Sequence, residues 1–121
     1  MIGYVTLGVR DMGRAKKFYD TVLAELGGAR GFASDRMQGY SAKEGPMIAI
    51  CTPYDAKPAT PGNGTMISLA SPDRATVDKV HATALAAGAV DEGAPGERMP
   101  TFYGAYFRDP DGNKFCVFKM G

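Results

Sequence analysis

The chain has 121 residues, of which 45% are hydrophobic and 22% are charged, and its formal net charge is +1 at pH 7. Its length and composition are typical of one globular domain with its own core. The near-neutral net charge gives no basic footprint for nucleic acid and no polybasic face for a membrane surface. The longest apolar runs, such as residues 47–51, are far too short to span a membrane.

The N-terminal sequence MIGYVTLGVRD has neither the basic start nor the cleavage site of a signal peptide. The chain has two cysteines, Cys51 and Cys116, and two are too few for a disulfide framework. We therefore expect a protein of the reducing cytoplasmic compartment, with no nucleic-acid partner and no membrane partner.

The first third of the chain predicts a strand, a helix and three further strands. β-branched residues indicate the first strand at 4–9, and Asp11 is a candidate helix N-cap. Apolar residues then recur with the i, i+3, i+4 spacing of one helical face, at Ala15, Phe18, Tyr19, Val22, Leu23 and Leu26. Gly27 and Gly28 end this helix. Short strands are predicted at 31–34, 37–42 and 46–52.

The same pattern recurs 62 residues later, in GTMISLASPDRATVDKVHATALAAG. At this offset Asp11 aligns with Asp73. Ser71 is a candidate cap, and Pro72 suits the first helical position. The second apolar face comprises Val77, Val80, His81, Ala84 and Leu85, and the final strands are predicted at 102–108 and 114–119.

Two segments have no periodic pattern. The sequence CTPYDAKPATPGNG is a Pro- and Gly-rich connector between the halves. The sequence DEGAPGERMPTFYG, residues 91–104, has two prolines and three glycines and is too irregular to predict as an element. An internal repeat of about sixty residues indicates two supersecondary units that bury their apolar faces together. We predict the α+β class with mostly antiparallel, curved sheets.

This order of elements resembles the vicinal oxygen chelate superfamily, which includes glyoxalase I, extradiol dioxygenases, fosfomycin-resistance enzymes and bleomycin-binding proteins. The resemblance covers essentially the whole chain and is carried by VTLGVRDMGRAKKFYDTVLAELG and YFRDPDGNKF. It implies one domain, 1–121, made of two tandem βαβββ modules at about 1–55 and 64–121, with a connector at about 53–64. The modules are expected to form a curved, cup-like mixed sheet with the helices on the outside.

The resemblance also implies where relatives hold a metal, commonly with His on the first strand and Glu on the last strand of each module. These four positions fall on Tyr4, Ala49, Met66 and Cys116. None is a histidine or a carboxylate, whereas a divalent ion needs about four imidazole, thiolate or carboxylate donors. We therefore expect no metal ligand and no cofactor. The single histidine, His81, falls on the second helix rather than in the cup.

Three residues are candidates for an acid, a base or a nucleophile: Tyr4, Tyr106 and Cys116. Cys116 is either a reactive pocket thiol, which needs a base or a positive charge nearby, or a small buried hydrophobe. By resemblance to fosfomycin-resistance members, Tyr106 faces the cup, where its phenol can donate a hydrogen bond. The alternative for Tyr106 is a core aromatic. Tyr4 also needs a partner for its hydroxyl if it points inward.

The residues expected to line the cup are mostly apolar and aromatic, as in small-molecule pockets: Tyr4, Met47, Ala49, Met66, Phe102, Tyr103, Tyr106 and Cys116. Arg98, from the irregular segment, is a further candidate contact, and the alternative is that this segment is only a solvated connector. No acidic residue belongs to this set, which disfavours cationic bleomycin as the ligand.

We expect a metal-independent protein that binds a small organic molecule in the cup. In the bleomycin-binding branch the pockets lie between two chains, and exposed sheet edges need cover, so we expect a homodimer. The first alternative is an active lyase or dioxygenase of the same superfamily, lactoylglutathione-lyase-like, whether metal-dependent or metal-free. The second is a catalytically inactive module kept for protein contacts.

Overall fold

The computed structural model describes residues 1–121 and contains two helices and eight strands. In chain order the elements are β1 (Tyr4–Gly8), α1 (Met12–Ala24), β2 (Ala29–Ser34), β3 (Met37–Ser41), β4 (Met47–Cys51), β5 (Ile67–Ala70), α2 (Arg74–Ala86), β6 (Val90–Met99), β7 (Phe102–Arg108) and β8 (Lys114–Met120). The order is βαβββ twice, so the predicted α+β class and the two modules are confirmed. Neither helix has the length and apolar character needed to cross a membrane.

Each module forms one four-stranded mixed sheet, and the two sheets have the same strand order. Sheet 1 has the order β1-β4-β3-β2, and sheet 2 has the order β5-β8-β7-β6. In each sheet the first strand of the module runs parallel to the last, and the other pairs are antiparallel. No strand of one sheet is hydrogen-bonded to a strand of the other. The eight strands therefore form two sheets rather than one continuous sheet.

One hydrophobic core joins the two modules. The predicted face of α1 is buried, including Phe18 and Tyr19. The Tyr19 ring lies 6.1 Å from the Tyr40 ring of sheet 1 and 5.9 Å from the Phe115 ring of sheet 2. The Phe18 ring lies 6.4 Å from that of Phe107. Because α1 packs against strands of both sheets, its aromatic residues hold the modules together.

Both helices begin after aspartates that the 62-residue offset aligns. The Asp11 carboxylate accepts a hydrogen bond from the Arg14 amide at 3.0 Å, and the Asp73 carboxylate accepts one from the Thr76 amide at 2.7 Å. The prediction of Asp11 as a cap is confirmed, but that of Ser71 is wrong. The Ser71 hydroxyl instead donates to the Asp73 carbonyl at 2.7 Å. Asp73 has the extended backbone that lets a cap reach the third helical amide.

The prediction that residues 91–104 form no element is also wrong, because β6 pairs along most of its length with β7. The register shifts three times, between Asp91 and Gly93, between Gly93 and Gly96, and between Glu97 and Met99. Bulges of this kind break the alternation by which a strand is identified in a sequence. β6 is an edge strand, which is where a sheet tolerates a proline such as Pro95.

The turn between β7 and β8, residues 109–113, is buried between the modules. Asp109 is 1% exposed, and its Oδ1 accepts hydrogen bonds from the amides of Asp111 at 2.9 Å and Asn113 at 2.8 Å. Its Oδ2 accepts from the Tyr19 hydroxyl at 2.5 Å and from Asn113 Nδ2 at 2.9 Å. The Asp109 carboxylate thus shapes the turn and bonds it to α1.

A second carboxylate of the same turn binds the segment that follows β1. Asp111 Oδ1 accepts from the Arg10 amide at 2.9 Å, from Arg10 Nε at 3.1 Å and from Arg14 Nη2 at 3.0 Å. Asn113 Nδ2 also donates to the Gly8 carbonyl at 3.0 Å. The sequence DPDGN is therefore an inter-module joint, and the outward faces of the sheets are left for other contacts.

Candidate functional site

We call the surface of each sheet that points away from the core its outer face, and number it with its sheet. On outer face 2, the strand register places Ser68 of β5 beside Cys116 of β8 and Cys116 beside Tyr106 of β7. Three side chains with hydroxyl or thiol groups therefore form a row across the sheet. The expectation that Tyr106 and Cys116 share one surface agrees with this register.

The Cys116 side chain lies beneath its neighbours. The residue is 1% exposed, and this burial raises the pKa of the thiol. The nearby Tyr106 and Ser68 hydroxyls oppose that rise in pKa only in part. Burial, and then the proximity of Cys116, also raises the pKa of Tyr106. At neutral pH both groups keep their protons, so this row presents hydrogen-bond donors rather than a thiolate.

Positive side chains surround this row. The guanidinium of Arg98 lies 5.3 Å from the centre of the Tyr106 ring, and Lys114 Nζ lies 5.8 Å from it. Arg108 Nε donates to Glu92 at 2.9 Å, and Lys114 Nζ lies 3.7 Å from the same carboxylate. These distances fit cation–π contacts for Arg98 and Lys114.

The other end of outer face 2 is apolar. The rings of Phe102 and Phe118 are stacked, with centroids 5.3 Å apart and planes 9° apart. Met120, which pairs with Phe102, is 59% exposed. Met66, just before β5, lies at the opposite end of the face, next to Lys114 in the register, and is 42% exposed. Outer face 2 therefore combines a polar, positively charged end with an uncovered apolar end.

Outer face 1 has the same layout with different chemistry. Here Tyr4 lies beside Met47, and Thr6 lies beside Ala49. Tyr4 is 59% exposed, whereas Ala49 is fully buried. Met47 lies over Gly39, where a Cβ atom would come within 2.5 Å of the methionine sulfur. This face is a mostly apolar surface with one exposed phenol.

The strand register makes Ala49 and Cys116 equivalent in the two modules. Ala49 pairs with Thr6, Cys116 pairs with Ser68, and Thr6 and Ser68 are 62 residues apart. The resemblance implied four metal-ligand positions, and the fold places two of them on each outer face. Tyr4 and Ala49 lie on outer face 1, and Met66 and Cys116 lie on outer face 2.

The residues at these positions do not fit a divalent metal. They offer a phenol, a methyl group, a thioether and a protonated thiol, whereas zinc takes imidazole, thiolate or carboxylate. No group of three or more His, Cys, Asp or Glu side chains is placed to hold a metal ion.

Tyr103 does not lie on outer face 2, so the prediction that it lines the cup is wrong. Successive side chains of a strand point to opposite faces, and Tyr103 points towards α2. Its hydroxyl donates to Asp78 at 2.6 Å, and Arg74 lies 5.0 Å from its ring centre. His81 of α2 is buried, with Nε2 3.0 Å from Asp91 Oδ1. The histidine therefore lies at the edge of the helix–sheet packing.

A cleft of about 580 Å³ lies at one end of outer face 1. Its walls come from sheet 1 and the connector: Thr6, Gly8, Arg36, Met37, Cys51, Pro53, Tyr54, Asp55, Lys57, Pro58, Ala59 and Thr60. The connector packs closely here, because a Cβ at Gly8 would come within 2.9 Å of Ala59 Cβ. The Arg36 guanidinium lies 5.3 Å from the Tyr54 ring centre. The sequence did not predict this cleft, since an irregular connector has no periodic signal.

A family model and several solved structures match this chain, and they name the same superfamily. The model of the Glyoxalase/Bleomycin resistance protein/Dioxygenase superfamily matches residues 1–117. The structure of a glyoxalase/bleomycin resistance protein from Albidiferax ferrireducens T118 is 39% identical over 98% of this chain and 97% of that chain, with a TM-score of 0.90. A family enzyme from Burkholderia phytofirmans PsJN, 22% identical over 98% of each chain, has the same fold with a TM-score of 0.81. No curated protein matches the chain.

Proposed function

Because the chain belongs to the Glyoxalase/Bleomycin resistance protein/Dioxygenase superfamily, as its sequence resemblance predicted, we propose that it binds a small organic molecule without a divalent metal. The observation that carries this proposal is the chemistry of the two outer faces. They present aromatic rings, thioethers, hydroxyls and a protonated thiol where a metal site needs imidazoles and carboxylates. Apolar surfaces with a few convergent polar groups are typical of small-molecule sites.

We also propose a homodimer in which outer face 1 of one chain and outer face 2 of its partner enclose the ligand. Support comes from the large apolar side chains that each face leaves exposed, among them Tyr4, Phe32, Met66 and Met120. Each sheet also ends in edge strands, which pair with another strand on one side only. A second copy would cover both the apolar surface and the edges.

Native mass spectrometry of the purified protein tests both proposals. We expect a mass near twice 12.8 kDa, with an additional small organic molecule, and no stoichiometric metal by elemental analysis. About one Zn, Ni, Fe or Mn per chain would contradict metal independence. A single-chain mass at micromolar concentration would contradict the dimer.

A pair of complementary variants tests whether the cup is shared between chains. One chain carries Tyr4→His and Ala49→Glu, and the other carries Met66→His and Cys116→Glu. In a shared cup, mixing the two gives one site per dimer with two imidazoles and two carboxylates, a donor set suited to zinc. We expect about micromolar zinc affinity by calorimetry only after mixing. No gain over either unmixed variant would contradict the shared cup.

Binding is better supported than catalysis by these residues. Burial raises the pKa values of Cys116 and Tyr106, so neither is prepared to act as a base at neutral pH. A lyase or dioxygenase reaction, metal-dependent or metal-free, therefore stays the alternative. Its test is turnover of hemithioacetal or catechol substrates by wild type and by Tyr106→Phe.

The cytoplasmic location stays a prediction from the sequence. Cys51 and Cys116 are both free thiols in the fold, and unpaired cysteines are usual in reducing compartments. The absence of nucleic-acid and membrane partners likewise stays a prediction that rests on the net charge of +1.

A further inference from the structure

We propose that the ligand of outer face 2 is an organic anion and that Arg98 recognises its negative group. The inference rests on the small-molecule function proposed above and adds the ligand class. That class is a carboxylate, sulfonate or phosphate group attached to an apolar, preferably aromatic, body.

The first argument is the charge of the face. Arg98 and Lys114 lie over the Tyr106 ring, and Arg108 pairs with Lys114 in the strand register. Glu92 is the one carboxylate that bonds to any of these three cations. Arg108 and Lys114 share Glu92, while Arg98 forms no ion pair. Two positive charges are therefore left uncompensated, which favours an anionic ligand.

The other acidic residues of β6 do not reduce this charge, because they bond to α2. Asp91 Oδ1 lies 3.0 Å from His81 Nε2, and Glu97 Oε1 accepts from Arg74 Nη1 at 2.8 Å. In the register with β7, Asp91 lies beside Phe107 and Glu97 beside Tyr103, and both of these β7 residues pack on the helix side. The positive charge thus belongs specifically to the outer face.

The second argument is that β6 itself holds the Arg98 side chain in place. Its Nη1 donates to the Gly96 carbonyl at 3.0 Å, and its Nη2 donates to the Ala94 carbonyl at 2.6 Å. A Cβ at Gly96 would lie 3.0 Å from Nη1, and one at Gly93 would lie 3.2 Å from Nη2. The two glycines therefore leave the space that the guanidinium occupies against β6.

This arrangement leaves donors available. A guanidinium has five N–H groups, and the chain itself accepts from two of them. A planar guanidinium held by its own strand can bind an oxyanion with two parallel hydrogen bonds and little loss of side-chain entropy. The neighbouring Tyr106 and Ser68 hydroxyls can donate to the same anion.

The third argument concerns the rest of the ligand. The stacked rings of Phe102 and Phe118 lie on the same face as Tyr106. An aromatic body placed on these rings would bring its anionic group towards Arg98. An aromatic anion therefore matches both ends of outer face 2, whereas an inorganic anion matches only one.

Two fluorescent probes that differ in charge test the inference. Anilinonaphthalene sulfonate is an aromatic anion, and phenylnaphthylamine is its neutral analogue. We expect Arg98→Gln to weaken binding of the sulfonate by at least about fivefold at low ionic strength, the effect of one partly exposed ion pair. Binding of the neutral probe should change less than twofold. Arg98→Lys, which keeps the charge, should retain more affinity for the sulfonate than Arg98→Gln.

Arg74→Gln is the matched control. Arg74 also lies over a tyrosine ring, that of Tyr103, but on the helix side of the same sheet and paired with Glu97. It should change the affinity for neither probe. Unchanged sulfonate binding in Arg98→Gln, equal loss of both probes, or equal losses in the two arginine variants would overturn anion recognition. If wild type binds neither probe, the small-molecule function itself fails and the inference with it.

Discussion

The hairpin turns that precede the last strand of each module have similar backbones, but only the second bonds to the other module. The turn at 42–46 contains Gly45 with φ +90°, and the turn at 109–113 contains Gly112 with φ +88°. The first turn is exposed throughout, whereas the second is largely buried and bonded to module 1. A repeated fold therefore does not repeat its stabilising contacts.

Side-chain chemistry accounts for the difference. The turn sequences are AKEGP and DPDGN, so the first and fifth positions are Ala42 and Pro46 in one and Asp109 and Asn113 in the other. Only the second pair can bond to each other, to the turn amides and to Tyr19. The sequence DPDGN therefore marks the joint between the modules rather than the ligand site.

The largest effect should come from removing the central carboxylate of the joint. In Asp109→Ala, the Tyr19 hydroxyl, the Asn113 amide group and two backbone amides lose their acceptor in a buried place. Unpaired buried groups are costly, so we expect the free energy of unfolding to fall by about 3 kcal/mol. Urea denaturation of wild type and variant measures this.

The control is Glu44→Ala, which removes the carboxylate of the exposed turn, at the position that aligns with Asp111. Its unfolding curve should coincide with that of wild type. Similar losses of unfolding free energy in the two variants would show that the buried turn does not stabilise the fold more than the exposed one.

A smaller effect should follow from removing one donor of the joint. Tyr19→Phe keeps the ring in the core but leaves Asp109 Oδ2 with Asn113 as its remaining donor. We expect a loss of about 1–2 kcal/mol near neutral pH. The counterpart is Tyr40→Phe, whose hydroxyl bonds to the half-exposed Asp20 at 2.8 Å, and it should lose less. A larger loss in Tyr40→Phe would contradict the importance of the joint.

Tyr19→Phe should also change how the free energy of unfolding depends on pH in the alkaline range. Burial, and then the neighbouring Asp109 charge, raises the pKa of Tyr19 well above its usual value of about 10. Below pH 10 the folded and unfolded states both keep the proton, so the contribution of Tyr19 is complete. Above pH 10 the unfolded state releases the proton first, and stability falls by about 1.4 kcal/mol per pH unit from this group. Tyr19→Phe should therefore show a shallower decline above pH 10, and parallel profiles would contradict the raised pKa.

The parts of the fold that follow local rules were predictable from the sequence. The buried face of α1 follows from the spacing of its apolar residues, and the start of α1 from Asp11. The repeat predicts the start of α2, because Asp73 aligns with the cap Asp11. Ser71, a residue that often caps helices, instead indicated an earlier start. The shared surface of Tyr106 and Cys116 was implied by the family resemblance, and it agrees with the pairing of β7 and β8.

The remainder depended on contacts between distant parts of the chain. β6 was missed because three register shifts remove its period of two. Tyr103 was misplaced because it was assigned with an irregular loop, whereas β7 begins at Phe102 and alternates from there. The roles of Asp109 and Asp111 were missed because their partners are about 90 to 100 residues away. No pattern within the turn identifies such partners.

The smallest expected effect is a difference in stability between Gly→Ala changes in the two turns. It distinguishes backbone strain within a turn from crowding by neighbouring residues. Gly45 and Gly112 both have positive φ, where alanine is strained, and each Gly→Ala change should cost about 1 kcal/mol for that reason alone. A Cβ at Gly45 would meet no atom within 4 Å, whereas one at Gly112 would lie 3.1 Å from Pro61 Cγ in the connector. Gly112→Ala should therefore cost more than Gly45→Ala by roughly 0.5 kcal/mol, the scale of a mild overpacking penalty. Adding Pro61→Ala to each variant should remove the excess at Gly112 and leave the cost at Gly45 unchanged, as a double-mutant cycle by urea denaturation would show. An excess that survives Pro61→Ala would mean that the connector does not cause it, and that the two turns differ in the strain of the backbone itself.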